Sequence, residues 1–265
     1  GQKINPSPIE EYCKKNKISF RNPEILNTQE EFETFKELSA NLIIVVAYGK
    51  IIPKNFLNIA KFGFINIHAS LLPKWRGAAP IQRAIMNGDK KIGVTIMKIE
   101  EKLDSGPILV SKEFELDKNE NHGEIEKKLS FEGANLLIQS LKSIENGNSK
   151  FVDQDDTKAS YAKKIDKNET KINWNKDSNK VLAHIHGLSP NPGSWFEFDK
   201  ERFKVLKAKI SEENGKSGYV LDNNLTVGCK SGAIQILELQ RQGKKKQSTK
   251  EFLLGKKITK GMILI

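Results

Sequence analysis

Asn66-Ile67-His68 places an amide and an imidazole two residues apart. On an extended strand both side chains point to one side. Facing one spot, such a pair suits acyl chemistry. The amide holds a developing oxyanion, and the imidazole moves a proton near neutral pH. A carboxylate would complete the set. Asp104 lies in Glu101-Lys102-Leu103-Asp104-Ser105-Gly106-Pro107, a turn that at the same sheet edge would orient the ring and stabilise its charged form. Each feature also has a plainer reading. A strand-end Asn-x-His pair is commonly structural, and an Asp before Ser-Gly caps its own turn. The two cysteines, Cys13 and Cys229, suit neither a disulfide framework nor a zinc site. His184 and His186 have no Cys or carboxylate at ligand spacing, so no metal is expected.

The elements that must carry these residues alternate. Helices are expected over 8–17 and 28–39, the second capped by Thr28 with Glu31 three residues on. The apolar run 42–47 fits a strand buried on both faces, as in a parallel sheet. A short helix (53–60), a strand (64–67), a helix (78–87), strands at 92–98 and 108–114, and a long helix (122–146) follow. This order predicts an α/β sheet, with Asn66 and His68 at the carboxyl end of a parallel strand, where open α/β sheets place their ligands. Residues 148–165 are polar and aperiodic and read as a linker between a first unit, 1–147, and a second, 166–265. The second unit opens with a helix near 176–187. Five short strands then follow at 194–199, 202–210, 217–221, 224–228 and 233–239, the pattern of a small barrel of oligonucleotide-binding type, before a helix near 248–254.

The charge divides the same way. Of the net +11, all lies in residues 158–265, which hold 22 Lys and Arg against 11 Asp and Glu; residues 1–157 balance at 22 of each. A neutral module joined to a basic one suggests a polyanionic partner, and a Lys-rich surface kept for solubility is the alternative. No run approaches about 18 apolar residues, so no membrane helix and no membrane partner are expected. Phe196, Phe198 and Phe203 alternate near Lys204, Lys207 and Lys209. Such interleaving serves nucleic-acid binding, or marks barrel core and solvated face.

One run, His68-Ala69-Ser70-Leu71-Leu72-Pro73-Lys74-Trp75-Arg76-Gly77-Ala78-Ala79-Pro80-Ile81-Gln82, closely resembles the methionyl-tRNA formyltransferases within the folate-dependent formyltransferases. Val45 to Pro53, Gly93 to Met97, Leu103 to Gly106, Ser160 to Ile165, Ile172 to Trp174 and Pro190 to Trp195 match as well. The loop alone marks the wider family; Arg76 to Pro80 and the second unit favour the tRNA enzymes. The resemblance implies a doubly wound, Rossmann-like formyltransferase domain followed by the small OB-like barrel. It implies Asn66, His68 and Asp104 as the catalytic trio, and Ser70, Leu71, Leu72 and Pro73 as the folate-contacting loop. It further implies 10-formyltetrahydrofolate as formyl donor, methionyl initiator tRNA as acceptor, no metal, a monomer, and a bacterial cytoplasmic or organellar setting. Lys3, Lys204, Lys207, Lys244, Lys245 and Lys246 are the expected tRNA contacts, and Arg76 faces the substrates or holds its loop. A sister enzyme acting on a nucleotide sugar or purine precursor, or a non-catalytic RNA-binding protein of the same fold, are the alternatives.

Two departures stand out. Lys102 occupies a position where the family usually has Gly, which predicts strain if φ is positive there. Gly1-Gln2-Lys3-Ile4-Asn5-Pro6 resembles the end of a basic loop that follows the family's first strand, helix and strand. Those ~40 residues, a first βαβ piece, are expected to be missing, leaving an open sheet edge and an incomplete cleft.

Overall fold

Local signals set the first helices. In the computed structural model, which describes residues 6–256 and 258–265, Ser7 accepts from the Glu10 amide and Pro8 opens α1 (Pro8–Asn16). Thr28 does the same for Glu31 at the start of α2 (Gln29–Glu37).

Four strands form the first sheet: β1 (Ile43–Val46), β2 (Phe64–His68), β4 (Lys91–Lys98) and β5 (Ile108–Glu115), in that spatial order. β1 and β2 run parallel, with Val46 beside Ile67. From β2 onward the sheet is antiparallel, His68 lying opposite Thr95. The expectation of a doubly covered β1 does not hold. Ile44 and Val46 are 44% and 59% exposed, because β1 is the outer strand and no helix covers that face among the described residues. The opposite face is packed. Ile65, Val94 and Ile96 meet Leu136, Leu137 and Ile144 of α4 (His122–Glu145). α4 begins in a reciprocal cap between Asn121 and Glu124. Gly133 lets it approach: a Cβ there would stand 2.7 Å from Ile67 Cγ2.

Two short segments complete the layer over the sheet's edge. β3 (Arg76–Gly77) leads into α3 (Pro80–Asn87), and β6 (Tyr161–Ala162) pairs with β3 in parallel.

The second unit is a curled antiparallel sheet around one apolar core. α5 (Ser178–Leu188) precedes β7 (Ser194–Phe198), β8 (Glu201–Ser211), β9 (Thr226–Gly228), β10 (Ala233–Arg241) and β11 (Lys246–Ser248); α6 (Thr249–Gly255) follows. The order is β11-β10-β8-β7, with β9 also on β10. Phe196, Phe203, Val205, Ile234 and Ile236 fill the interior. Residues 217–221, expected as a strand, form only isolated bridges at Tyr219 and Val220. Gly218 turns the chain there at φ 80, which interrupts extended pairing. β11 was not expected, since Lys-Gln-Ser carries no strand pattern; register with β10 creates it.

α3 and α5 join the two units. A Cβ on Gly187 would meet Met86 Cγ at 2.6 Å, and Arg83 forks onto Glu169 at 2.7 and 2.8 Å. Among the described residues no helix is long and apolar enough to cross a membrane.

Candidate active site

β2 delivers both Asn66 and His68, but the neighbouring loops decide what each can do. The Asn66 side chain is half-buried and bonds to no group among the described residues, so its amide is uncommitted. His68 is buried. Its Nε2 lies 2.9 Å from the Trp75 carbonyl, an acceptor only, so Nε2 carries the proton and Nδ1 is the exchangeable nitrogen. Nδ1 stands 3.7 Å from Asp104 Oδ2.

Asp104 arrives by an unexpected route. Because β2 and β4 are antiparallel, the loop 99–107 leaves beside Ile65, at the amino end of β2, rather than at the edge where His68 sits. It then folds back, and Asp104 Oδ2 accepts the Gly77 amide at 2.8 Å. The strain expected at Lys102 is absent: the left-handed residue of this turn is Asp104 itself, at φ 46. Trp75 is left-handed as well, at φ 63. Such conformations cost about 1 kcal/mol or more each outside glycine. They persist only where the surroundings fix them. Trp75 is pinned by its amide on Ser160 Oγ (3.0 Å) and its indole on Asp89 (2.8 Å). Gly77 needs its own residue type, at φ 119 with the Ala162 carbonyl 2.8 Å from where a Cβ would stand.

The Ser70–Pro73 loop forms a wall. Ser70 Oγ donates to the Lys74 carbonyl at 2.6 Å, and Thr95 Oγ1 donates to the Ser70 carbonyl at 2.7 Å. Leu72 is buried, Leu71 lies against Gly93, and Pro73 is half-buried. Arg76, 3% exposed, is not free for a ligand. It donates to Gln154 Oε1 (3.0 and 2.8 Å) and to Asp156 (2.7 Å), which is the loop-holding role. A groove of about 1050 Å³ opens between Leu57–Phe64 and Lys98–Lys102. None of Asn66, His68 or Asp104 lines it.

The expected lysines fall on the second unit, except Lys3, which lies outside the described residues. Register puts Trp195, Lys204, Gln240 and Lys246 in one row across β7, β8, β10 and β11. Directly paired residues share a face, and this one is opposite Phe196 and Phe203. Lys207, Lys244 and Lys245 are exposed. Lys246 lies 3.4 Å from Glu238. Sequence reasoning missed Arg202, whose guanidinium stacks 4.1 Å from the Trp195 ring centroid. It also missed Gln154, which no motif marks. Burial pushes the Cys229 thiol up to about 11, which makes it a poor nucleophile. Among the described residues no group of three or more His, Cys, Asp or Glu could hold a metal.

A model of the formyl transferases matches residues 1–141, and one of the formyl transferase C-terminal domain matches residues 164–257. The chain belongs to the formyl transferase family. It is 49% identical over 263 residues to a methionyl-tRNA formyltransferase of Pelagibacter ubique (strain HTCC1062), covering 98% of this chain and 85% of that protein. Among solved structures, its fold is similar to a methionyl-tRNA formyltransferase from Clostridium thermocellum. That match has a TM-score of 0.58 and 20% identity, over 78% of this chain and 89% of that one. It is also similar to an N-formyltransferase from Helicobacter canadensis in complex with folinic acid and dTDP-3-aminofucose, with a TM-score of 0.67 and 20% identity, over 88% and 82%.

Proposed function

We infer that the chain transfers a formyl group from 10-formyltetrahydrofolate to the α-amino group of methionyl initiator tRNA. The reading is carried by 49% identity to a methionyl-tRNA formyltransferase along nearly the whole chain; Asn66 and His68 lie two residues apart on β2, and Asp104 stands 3.7 Å from His68. The donor supplies an activated formyl carbon. Asn66 offers an uncommitted amide to the oxygen that gains charge as the amine attacks. His68 Nδ1 takes the proton lost by the amine and returns it to the departing folate nitrogen, so protons balance over the cycle. At 3.7 Å, Asp104 is too far for a direct hydrogen bond to Nδ1. It stabilises charge on the ring while that proton is held, and the Gly77 amide keeps its carboxylate in place. The loops at the carboxyl ends of β1 and β2 suit the donor's aromatic body. Tyr48 and Ile51 are exposed there, and Leu71 and Pro73 keep part of their surface.

The outer-face row of half-buried Trp195 and Lys204 and exposed Lys246, with exposed Arg202, is the surface for the tRNA backbone. It combines phosphate-neutralising charge with a stacking ring. A nucleotide-sugar acceptor is the competing reading, since that chemistry occurs on the same fold; it gives no use to a basic face of this extent. The two are separated by offering the chain methionyl initiator tRNA and dTDP-3-aminofucose in parallel with 10-formyltetrahydrofolate. Formylation of the tRNA alone is expected, and formylation of the sugar alone would overturn the reading.

A further inference from the structure

Asp104 sits at φ 46, a conformation that an aspartate leaves unless it is held. The Gly77 amide holds its carboxylate, but the turn's backbone needs its own restraint. That restraint comes from far along the chain. Gln154 Nε2 donates to the Asp104 carbonyl at 2.9 Å and to the Gly106 carbonyl at 2.8 Å. Its Oε1 accepts two N–H groups from the buried Arg76. Two guanidinium donors on one side and two carbonyls on the other allow the amide a single orientation, with every donor used. Glutamate would lack the donors, and asparagine would be one methylene short.

We propose that Gln154 is a positioning residue for the Asp104 carboxylate, bridging Arg76 to the Asp104–Gly106 turn and so setting Asp104 against His68. Gln154 touches neither the imidazole nor the reacting groups; it acts through the turn. The rate consequence rests on the formyl-transfer reading, and the geometric consequence does not.

The test compares the wild-type chain with Gln154→Glu, which keeps the acceptor for Arg76 but loses both donors, and with Gln154→Met, which has similar length and no hydrogen bonds. The first readout needs no substrate: hydrogen exchange at the Gly77 amide, whose bond partner is Asp104. Its protection is expected to fall about tenfold in both variants, while the strand amides of Ile65 and Ile96 keep theirs. The second readout is kinetic. The kcat for formylation is expected to fall at least about tenfold, with KM for both substrates within about twofold, as for a misplaced catalytic group. Unchanged Gly77 protection, or a kcat within twofold of wild type, would overturn the proposal. Should the Glu variant fail to fold, the Met variant decides. A wild-type chain that formylates no tRNA would sink the functional reading alone, and Gly77 exchange would still decide the role of Gln154.

Discussion

Around His68 the polar atoms are paired in a tight mesh, whereas on the outer face of β7–β11 the lysines mostly reach into solvent. The first region spends backbone strain at Trp75 and Asp104 and recruits partners from 160, 154 and 89 to hold it. The second rests on strand register and a few surface contacts, such as Arg202 over Trp195, Gln240 on the Lys244 carbonyl and Lys246 near Glu238. The difference suits the tasks proposed for the two regions. Proton transfer and oxyanion stabilisation fail when groups shift by an ångström. Phosphate attraction depends on charge density and tolerates mobile side chains.

The comparison breaks most visibly at the mesh. Asp104→Asn keeps an acceptor for the Gly77 amide but removes the charge beside Nδ1, and Asn66→Ala removes the uncommitted amide. Either is expected to lower kcat at least about 100-fold, with folate affinity, read by fluorescence titration, nearly unchanged. Loss of donor binding in step with rate would instead make these residues part of the donor's cradle.

A graded response is expected on the basic face. Neutralising Lys204, Lys207 and Lys246 together should weaken tRNA binding about tenfold, across tRNAs alike, and should flatten the slope of affinity against salt. A sequence-selective loss, or a salt slope equal to the wild type's, would argue that this face is not where phosphates sit.

The smallest expected effect lies between the two regions, in α5. Burial lowers the pKa of His184, and likewise of His186. His186 bridges the units as a neutral ring: its Nδ1–H donates to the Lys118 carbonyl at 2.9 Å, and its unprotonated Nε2 faces the Ala208 amide at 3.5 Å. The folded chain therefore binds fewer protons than the unfolded chain once pH drops below the ordinary histidine value. Stability should be level above about pH 7 and decline as pH falls through 6.5 and below. A melting temperature that stays constant from pH 7.5 to 5.5 would show that these histidines are not held neutral by the fold.

Legibility in the sequence followed the same division. Residue type and spacing made Asn66, His68 and Asp104 candidates, the resemblance to the formyltransferases singled them out as a trio, and the alternation of strands and helices gave their setting. The strand directions were not. Nothing local in 92–98 says that it returns antiparallel, and so the path of the Asp104 loop was misjudged. Strain was expected at Lys102 because a glycine-like position was assumed there, while the turn places its left-handed residue at Asp104. Charge counting located the basic unit but could not see the row from Trp195 to Lys246, which exists only in the register of four strands. Gln154 was invisible for a similar reason. Its partners lie 48 to 78 residues away, and a lone glutamine in a polar segment advertises nothing.

Single-turnover formylation of methionyl initiator tRNA tests most directly whether His68 Nδ1 is the atom that moves the proton. With the chain in excess and both substrates saturating, the His68→Ala rate should lie at least about 100-fold below wild type, with tRNA and folate affinities within a few-fold. A His68→Ala rate within a few-fold of wild type under those conditions would contradict that role.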